Sequence, residues 1–183
     1  MSRHTSHIKT KELIIYISHR LGNRSNYGST LLNKALYFID NISYLKTGKP
    51  ISELSYIKQE WGPTPEPSLF LSIRRELDDS GEIVIAEFEY FGRIQKKVIA
   101  KREPKIDQFT KEEIVIMDEV LASVSEWNGS EASEFSHRFP AWQAAKDLEP
   151  LPFYTFLLSI KTPTNNDIEW AKSELKSVQG SSF

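Results

Sequence analysis

The sequence predicts a predominantly α-helical α+β fold, a helical domain carrying one small antiparallel β-hairpin. Three observations lead there. Apolar residues recur at helical spacing in segments that start near residues 10, 29, 68 and 110. Each segment runs into a break that contains glycine: Gly22-Asn23, Gly48, Ser80-Gly81 and Asn128-Gly129. Two stretches, 82–90 and 94–101, are instead rich in Val, Ile, Phe and Tyr and read as strands joined around Phe91-Gly92-Arg93. At 183 residues and 39% hydrophobic composition, the chain can build one sizeable core. The expected organisation is a flexible basic tail over 1–9, one domain over 10–178 and a frayed end over 179–183.

The elements follow in order. Thr10 can cap a first helix reaching about Arg20, with Leu13, Ile14, Ile17 and Leu21 on one face. Ser29 or Thr30 caps a second, to about Thr47. There Leu31, Ala35, Phe38, Ile42 and Leu45 form a stripe that Leu32, Leu36 and Ile39 widen. So broad an apolar stripe predicts a central helix covered on more than one side. Residues 54–61 alternate enough for a short strand, after which Pro63, Pro65 and Pro67 argue against regular structure. Ser68 caps a helix to about Asp79, and the hairpin follows. Asp107 or Thr110 caps a helix to about Trp127, with Ile114, Met117, Leu121 and Val124 inward. A short helix over 131–138, an interruption at Pro140, an apolar helix over 151–160 and a final helix over 166–178 complete the reading.

Composition removes several chemistries. The chain has no cysteine, which excludes disulfides, thiol nucleophiles and thiolate metal sites. Four histidines show no metal-ligand spacing, so neither a metal nor a cofactor is expected. No apolar run approaches the length that spans a membrane, and no secretory signal is visible, so the expected location is cytoplasmic. The net charge of −2 conceals an asymmetry. Residues 1–38 carry six bases against Glu12 alone, whereas 103–149 carry eleven acids against four bases. The basic start can serve nucleic acid, or it can lie against the acidic stretch within one fold.

Two stretches hold the candidate functional residues. In the first, Trp61-Gly62-Pro63-Thr64-Pro65 reads as a stiff turn, with Trp61 as a core anchor and the turn as a connector or a contact surface. On the preceding helix, Asn33, Tyr37, Asn41 and Tyr44 fall on one stripe, of residue types that suit an adaptable contact surface or the margin of a core helix. In the second, Ser136-His137-Arg138-Phe139-Pro140-Ala141-Trp142, neighbours on a helix do not face each other, so Ser136 and His137 are not a catalytic pair. His137 reads as a structural histidine with Trp142 buried beside it. A hydrolase built on His137 would need a distant nucleophile, and no nucleophile elbow is present. No catalytic residue is therefore assigned.

The strings Ala35-Leu36-Tyr37-Phe38-Ile39-Asp40, Gly48-Lys49-Pro50-Ile51, Tyr56-Ile57 and Trp61-Gly62-Pro63, followed downstream by Ser136-His137 and Pro140-Ala141-Trp142, resemble the SocA-like Panacea domain. The resemblance includes the GepA-type phage-associated proteins and covers about residues 30–145. It implies an antitoxin, not an enzyme, whose partner is a cognate protein toxin encoded beside it. It further implies neutralisation by direct binding or by delivery to a ClpXP-type protease. The partner-binding residues expected on this reading are Tyr37, Asn41, Tyr44, Trp61, Gly62, Pro63, Thr64, Pro65, His137 and Trp142. A nucleic-acid-binding regulator using the basic start is the alternative. No appended helix-turn-helix region is visible to support it.

Overall fold

The computed structural model describes residues 7–159. The expected tail up to residue 6, the final helix over 166–178 and the frayed end lie outside them. Helix α1 spans Ile8–Leu21 and starts before the expected Thr10 cap. Thr10 is buried within it, and its Oγ1 accepts a hydrogen bond from the Glu53 N–H at 3.1 Å. Helix α2, Ser29–Thr47, is the centre of the molecule. Leu31, Leu32, Ala35, Leu36 and Ile39 are fully buried on several sides of it, as the wide stripe requires. The helix stops at Gly48, which takes a left-handed φ of 77° and donates its N–H to the Tyr44 carbonyl.

Strands β1, Tyr56–Gln59, and β2, Gly62–Pro65, form an antiparallel hairpin. This corrects the expectation that the prolines exclude regular structure. Register explains it. Lys58 N–H and C=O bond Glu149 and Leu148, and the Tyr56 carbonyl accepts from Leu151 N–H. Both residues thus turn their backbone groups away from β2. Their β2 partners, Pro63 and Pro65, occupy the non-hydrogen-bonded pairs, where a missing N–H costs no ladder bond. The fold accordingly holds two small antiparallel hairpins rather than one.

Helix α3, Pro67–Asp79, has Pro67 at its first position and Glu66 as cap residue. The second hairpin pairs β3, Ile83–Tyr90, with β4, Arg93–Ala100. Helix α4, Lys111–Val124, starts with a capping box between Thr110 and Glu113. Helix α5, Gly129–Ser136, starts with another between Asn128 and Glu131. Helix α6, Pro140–Ala144, is a single short turn. The expected helix over 151–160 is a 3₁₀ segment, Phe153–Ser159, because Leu151 is still bonded along β1.

One core joins these elements, with α1 and α2 at its middle. The charge asymmetry resolves around it. Lys9, Arg20 and Arg24 pair with Glu113, Asp118 and Glu126 at 2.5, 2.9 and 2.9 Å. The basic first elements therefore lie against acidic α4 and the turn after it. Glu12, 3% exposed, accepts both ends of the Arg102 fork at 2.6 and 2.8 Å and the Lys105 N–H at 2.8 Å. Burial alone would raise its pKa; those donors bring it below the usual carboxylate value. No helix among the described residues is long and apolar enough to cross a membrane.

Candidate functional site

The site is built outward from Asp40. This carboxylate is completely buried on α2. Its Oδ1 accepts the N–H groups of Ile51 and Ser52 at 2.9 and 2.7 Å. Its Oδ2 accepts the Ser52 hydroxyl and the Tyr56 hydroxyl, the latter at 2.6 Å. Burial pushes the Asp40 carboxyl up, and these four donors offset part of that shift. The loop after Gly48 is thereby tied to α2, and β1 starts from a fixed point. Periodicity did not single out Asp40, Ser52 and Tyr56. A carboxylate on an otherwise apolar helix stripe was the available signal.

The hairpin then turns at Glu60-Trp61. Gly62 takes a left-handed φ of 93°, and a Cβ there would collide with the Ser136 hydroxyl and the Lys34 side chain. Both its conformation and its surroundings therefore demand glycine. Lys34 is 1% exposed, and its ammonium donates to the Pro63 carbonyl at 2.8 Å. No carboxylate faces it among the described residues. Desolvation pushes its pKa down to about 7. A charged residue amid the broad apolar stripe was again the legible but unread signal.

The second stretch arrives from α5 and α6. The Ser136 hydroxyl donates to the Ser133 carbonyl at 2.7 Å and not to His137. The His137 ring stacks on Trp142, with centroids 3.9 Å apart and planes inclined by 11°. Trp142 Nε1 donates to the Gln59 carbonyl at 3.3 Å, and the Lys58 ammonium sits over the Trp142 ring, 4.3 Å from its centroid. His137 Nε2 is buried and has no partner among the described residues. Desolvation lowers the His137 pKa, and the nearby Lys34 charge lowers it further.

The structure thus brings Trp61, Gly62, Pro63, Thr64 and Pro65 together with His137 and Trp142, although the two stretches are far apart in sequence. Trp61 itself is 60% exposed, so it is displayed at the turn instead of anchoring the core. Trp142 is only half-buried. Tyr37 and Asn41, expected on a contact surface, are 1% and 2% exposed. Tyr37 meets Phe38, Tyr56, Phe139 and Phe156 in ring contacts, and Asn41 Nδ2 donates to the Tyr37 carbonyl at 2.7 Å. The stripe they share faces inward because α2 is covered on that side too. Tyr44 remains half-buried, stacked on Phe153, in a separate hollow with Ser55 and Tyr56. Asn33 is half-buried, and its buried Oδ1 has no hydrogen-bond partner among the described residues.

The arrangement can present a rigid aromatic turn. Among the described residues no group of three His, Asp or Glu side chains is placed to hold a metal ion. A family model described as antitoxin SocA-like, Panacea domain, matches residues 32–143, more than half of the chain and nearly all of the site just described. No curated protein and no solved structure matches the chain.

Proposed function

The chain belongs to the SocA-like Panacea antitoxin family, and from that premise we propose that it neutralises a protein toxin by direct contact through the Trp61 turn and the neighbouring His137 and Trp142. One observation carries the reading. The two sequence stretches that mark the family converge to hold one exposed tryptophan on a braced hairpin. Tryptophan is the side chain most enriched among residues that dominate interface energy. A turn fixed by Gly62, two prolines and the Asp40 hydrogen bonds loses little entropy on binding. Tyr37 backs this surface through its ring contacts with Tyr56 and Phe139, whereas Asn41 is buried and Tyr44 lies outside it.

The alternative of a nucleic-acid regulator is less well supported. Lys9, Arg20 and Arg24 are engaged by carboxylates, and Lys34 is buried. Little positive surface from the first two helices is left for phosphates.

Co-expression with the product of the neighbouring reading frame tests the proposal. The wild-type chain should restore growth and co-purify with that product. Trp61→Ala should weaken binding by about tenfold or more, with an unchanged melting temperature because the ring is exposed. A neighbouring product that is harmless, or that stays toxic beside the wild-type chain, would overturn the reading. The toxin's lifetime separates contact from delivery to a ClpXP-type protease: it is unchanged under contact and shortened under delivery.

A further inference from the structure

We infer that the groove between the Trp61 turn and the tip of the β3–β4 hairpin takes an acidic peptide segment carrying at least one large apolar side chain. The inference rests on the toxin-binding reading only for the identity of the protein that supplies that segment. The groove encloses about 560 Å³. Its walls carry Trp61, Phe91 and Ile94, which are 60%, 89% and 68% exposed. Three large apolar side chains around one depression form a surface suited to an apolar partner group.

Phe91 is the most telling of them. It takes a left-handed φ of 47°, followed by Gly92 at 72°. A two-residue hairpin turn with both residues left-handed ordinarily holds Asn-Gly. A bulky side chain is strained there. Apart from an edge contact with Tyr90, with centroids 4.7 Å apart, the ring is given to solvent. Folding gains almost nothing from a phenylalanine at this position, whereas a bound segment would.

Charge selects the partner. Arg93 and Lys96 line the groove, and no Asp or Glu does. Of the nearby carboxylates, Glu87 lies 3.6 Å from Lys96, Glu89 stands across the hairpin from Ile94, Glu60 precedes Trp61, and Glu131 accepts the Asn128 N–H as part of the α5 capping box; none of them lines the groove. Arg93 has no carboxylate partner among the described residues. The start of α2 opens onto the groove behind Gly28, which supplies no side-chain acceptor, so the positive end of that helix adds to the field. The walls are tied together, since the Ser29 hydroxyl donates to the Lys96 carbonyl at 3.0 Å. Two cations on a chain of net charge −2 are a weak footprint for a nucleic-acid backbone. They match a short acidic segment well.

The test uses the full-length protein and three fluorescein-labelled probes followed by anisotropy. These are a peptide of Glu and Asp interspersed with Leu and Phe, the same peptide with Gln and Asn in place of the acids, and a single-stranded oligothymidine. The acidic peptide should bind best and weaken as salt rises. The double variant Arg93→Glu with Lys96→Glu should weaken it by about tenfold or more. Phe91→Asn should weaken it similarly while holding or raising the melting temperature, since Asn suits the turn. That variant separates binding from folding if the charge reversal disturbs the hairpin. Equal binding of the neutral peptide, tighter binding of the oligonucleotide, no binding, or indifference to these substitutions would overturn the inference. If the acidic peptide binds while the neighbouring product stays toxic beside the wild-type chain, the antitoxin reading falls and the groove stands. If neutralisation holds but no substitution matters, the groove falls and the antitoxin reading stands.

Discussion

Lys34 is the side chain whose surroundings suit its charge least. It is buried on α2 with a carbonyl for a partner, at the point where the hairpin and α5 meet. Burial pushes its pKa down to about 7 from 10.5, so between those values the unfolded chain holds a proton that the folded chain lacks. Stability contributed by this group therefore rises with pH across that window, with a slope approaching about 1.4 kcal/mol per pH unit. Urea unfolding between about pH 7 and 9 should show the rise in the wild-type protein and a flat profile in Lys34→Met. Equal slopes in the two proteins would show that Lys34 folds without that strain. Asp40 is also disfavoured as a charge by burial, but unlike Lys34 it has four donors that offset part of that cost, because the loop after Gly48 wraps onto it.

At the scale of elements, the site depends on two short pieces holding their positions. The β1–β2 hairpin is pinned on its outer edge by Leu148, Glu149 and Leu151, and on its face by Ser136, Lys34 and Trp142. Helix α5 is only eight residues long, too short to be stable by itself. Its start is held by Asn128, whose Oδ1 accepts from Ser130 and Glu131 N–H at 2.9 and 3.0 Å. Asn128→Ala should cost about 1 kcal/mol, a fall of roughly 2–4 °C in melting temperature for a chain of this size. Since α5 carries Ser136 and leads into His137, toxin binding should weaken along with it. A melt that drops with no change in binding would mean the hairpin keeps its position without α5. The turn at Phe91-Gly92 was legible as a turn in the sequence. That its phenylalanine stands out into solvent was not, because local pattern does not say what lies opposite.

Across the whole molecule, buried ion pairs join parts distant in sequence. Arg102 links Glu12 of α1 to Glu82 at the start of β3, and Glu12 is nearly inaccessible. Removing one partner of such a pair strands the other. Glu12→Ala should therefore cost about 3 kcal/mol, the low end of that range because Arg102 keeps Glu82. The folded pKa of Glu12 lies below the usual 4.5, so its contribution is complete above that value and is lost as pH falls beneath it. Acid unfolding monitored by circular dichroism should begin below about pH 4.5 and be shallower in Glu12→Gln. An identical acid limb in the two proteins would remove Glu12 from the account. The sequence by itself determined the approximate positions of α1 to α5, the Gly48 stop, the Thr110 cap, the Phe91 hairpin and the family, because periodicity, turn signals and motif strings are local properties. It also determined that α2 is central, since only a helix covered on several sides tolerates so wide an apolar stripe. Only the tertiary structure decided that the prolines of 63–65 lie in a strand, that Tyr37 and Asn41 are buried, and that Trp61 is displayed. It alone brought residues 136–142 against 34–65. Those outcomes depend on which surfaces meet across long stretches of chain, and on hydrogen bonds from 148–151 that free β2 from donating. No spacing within a single segment encodes them.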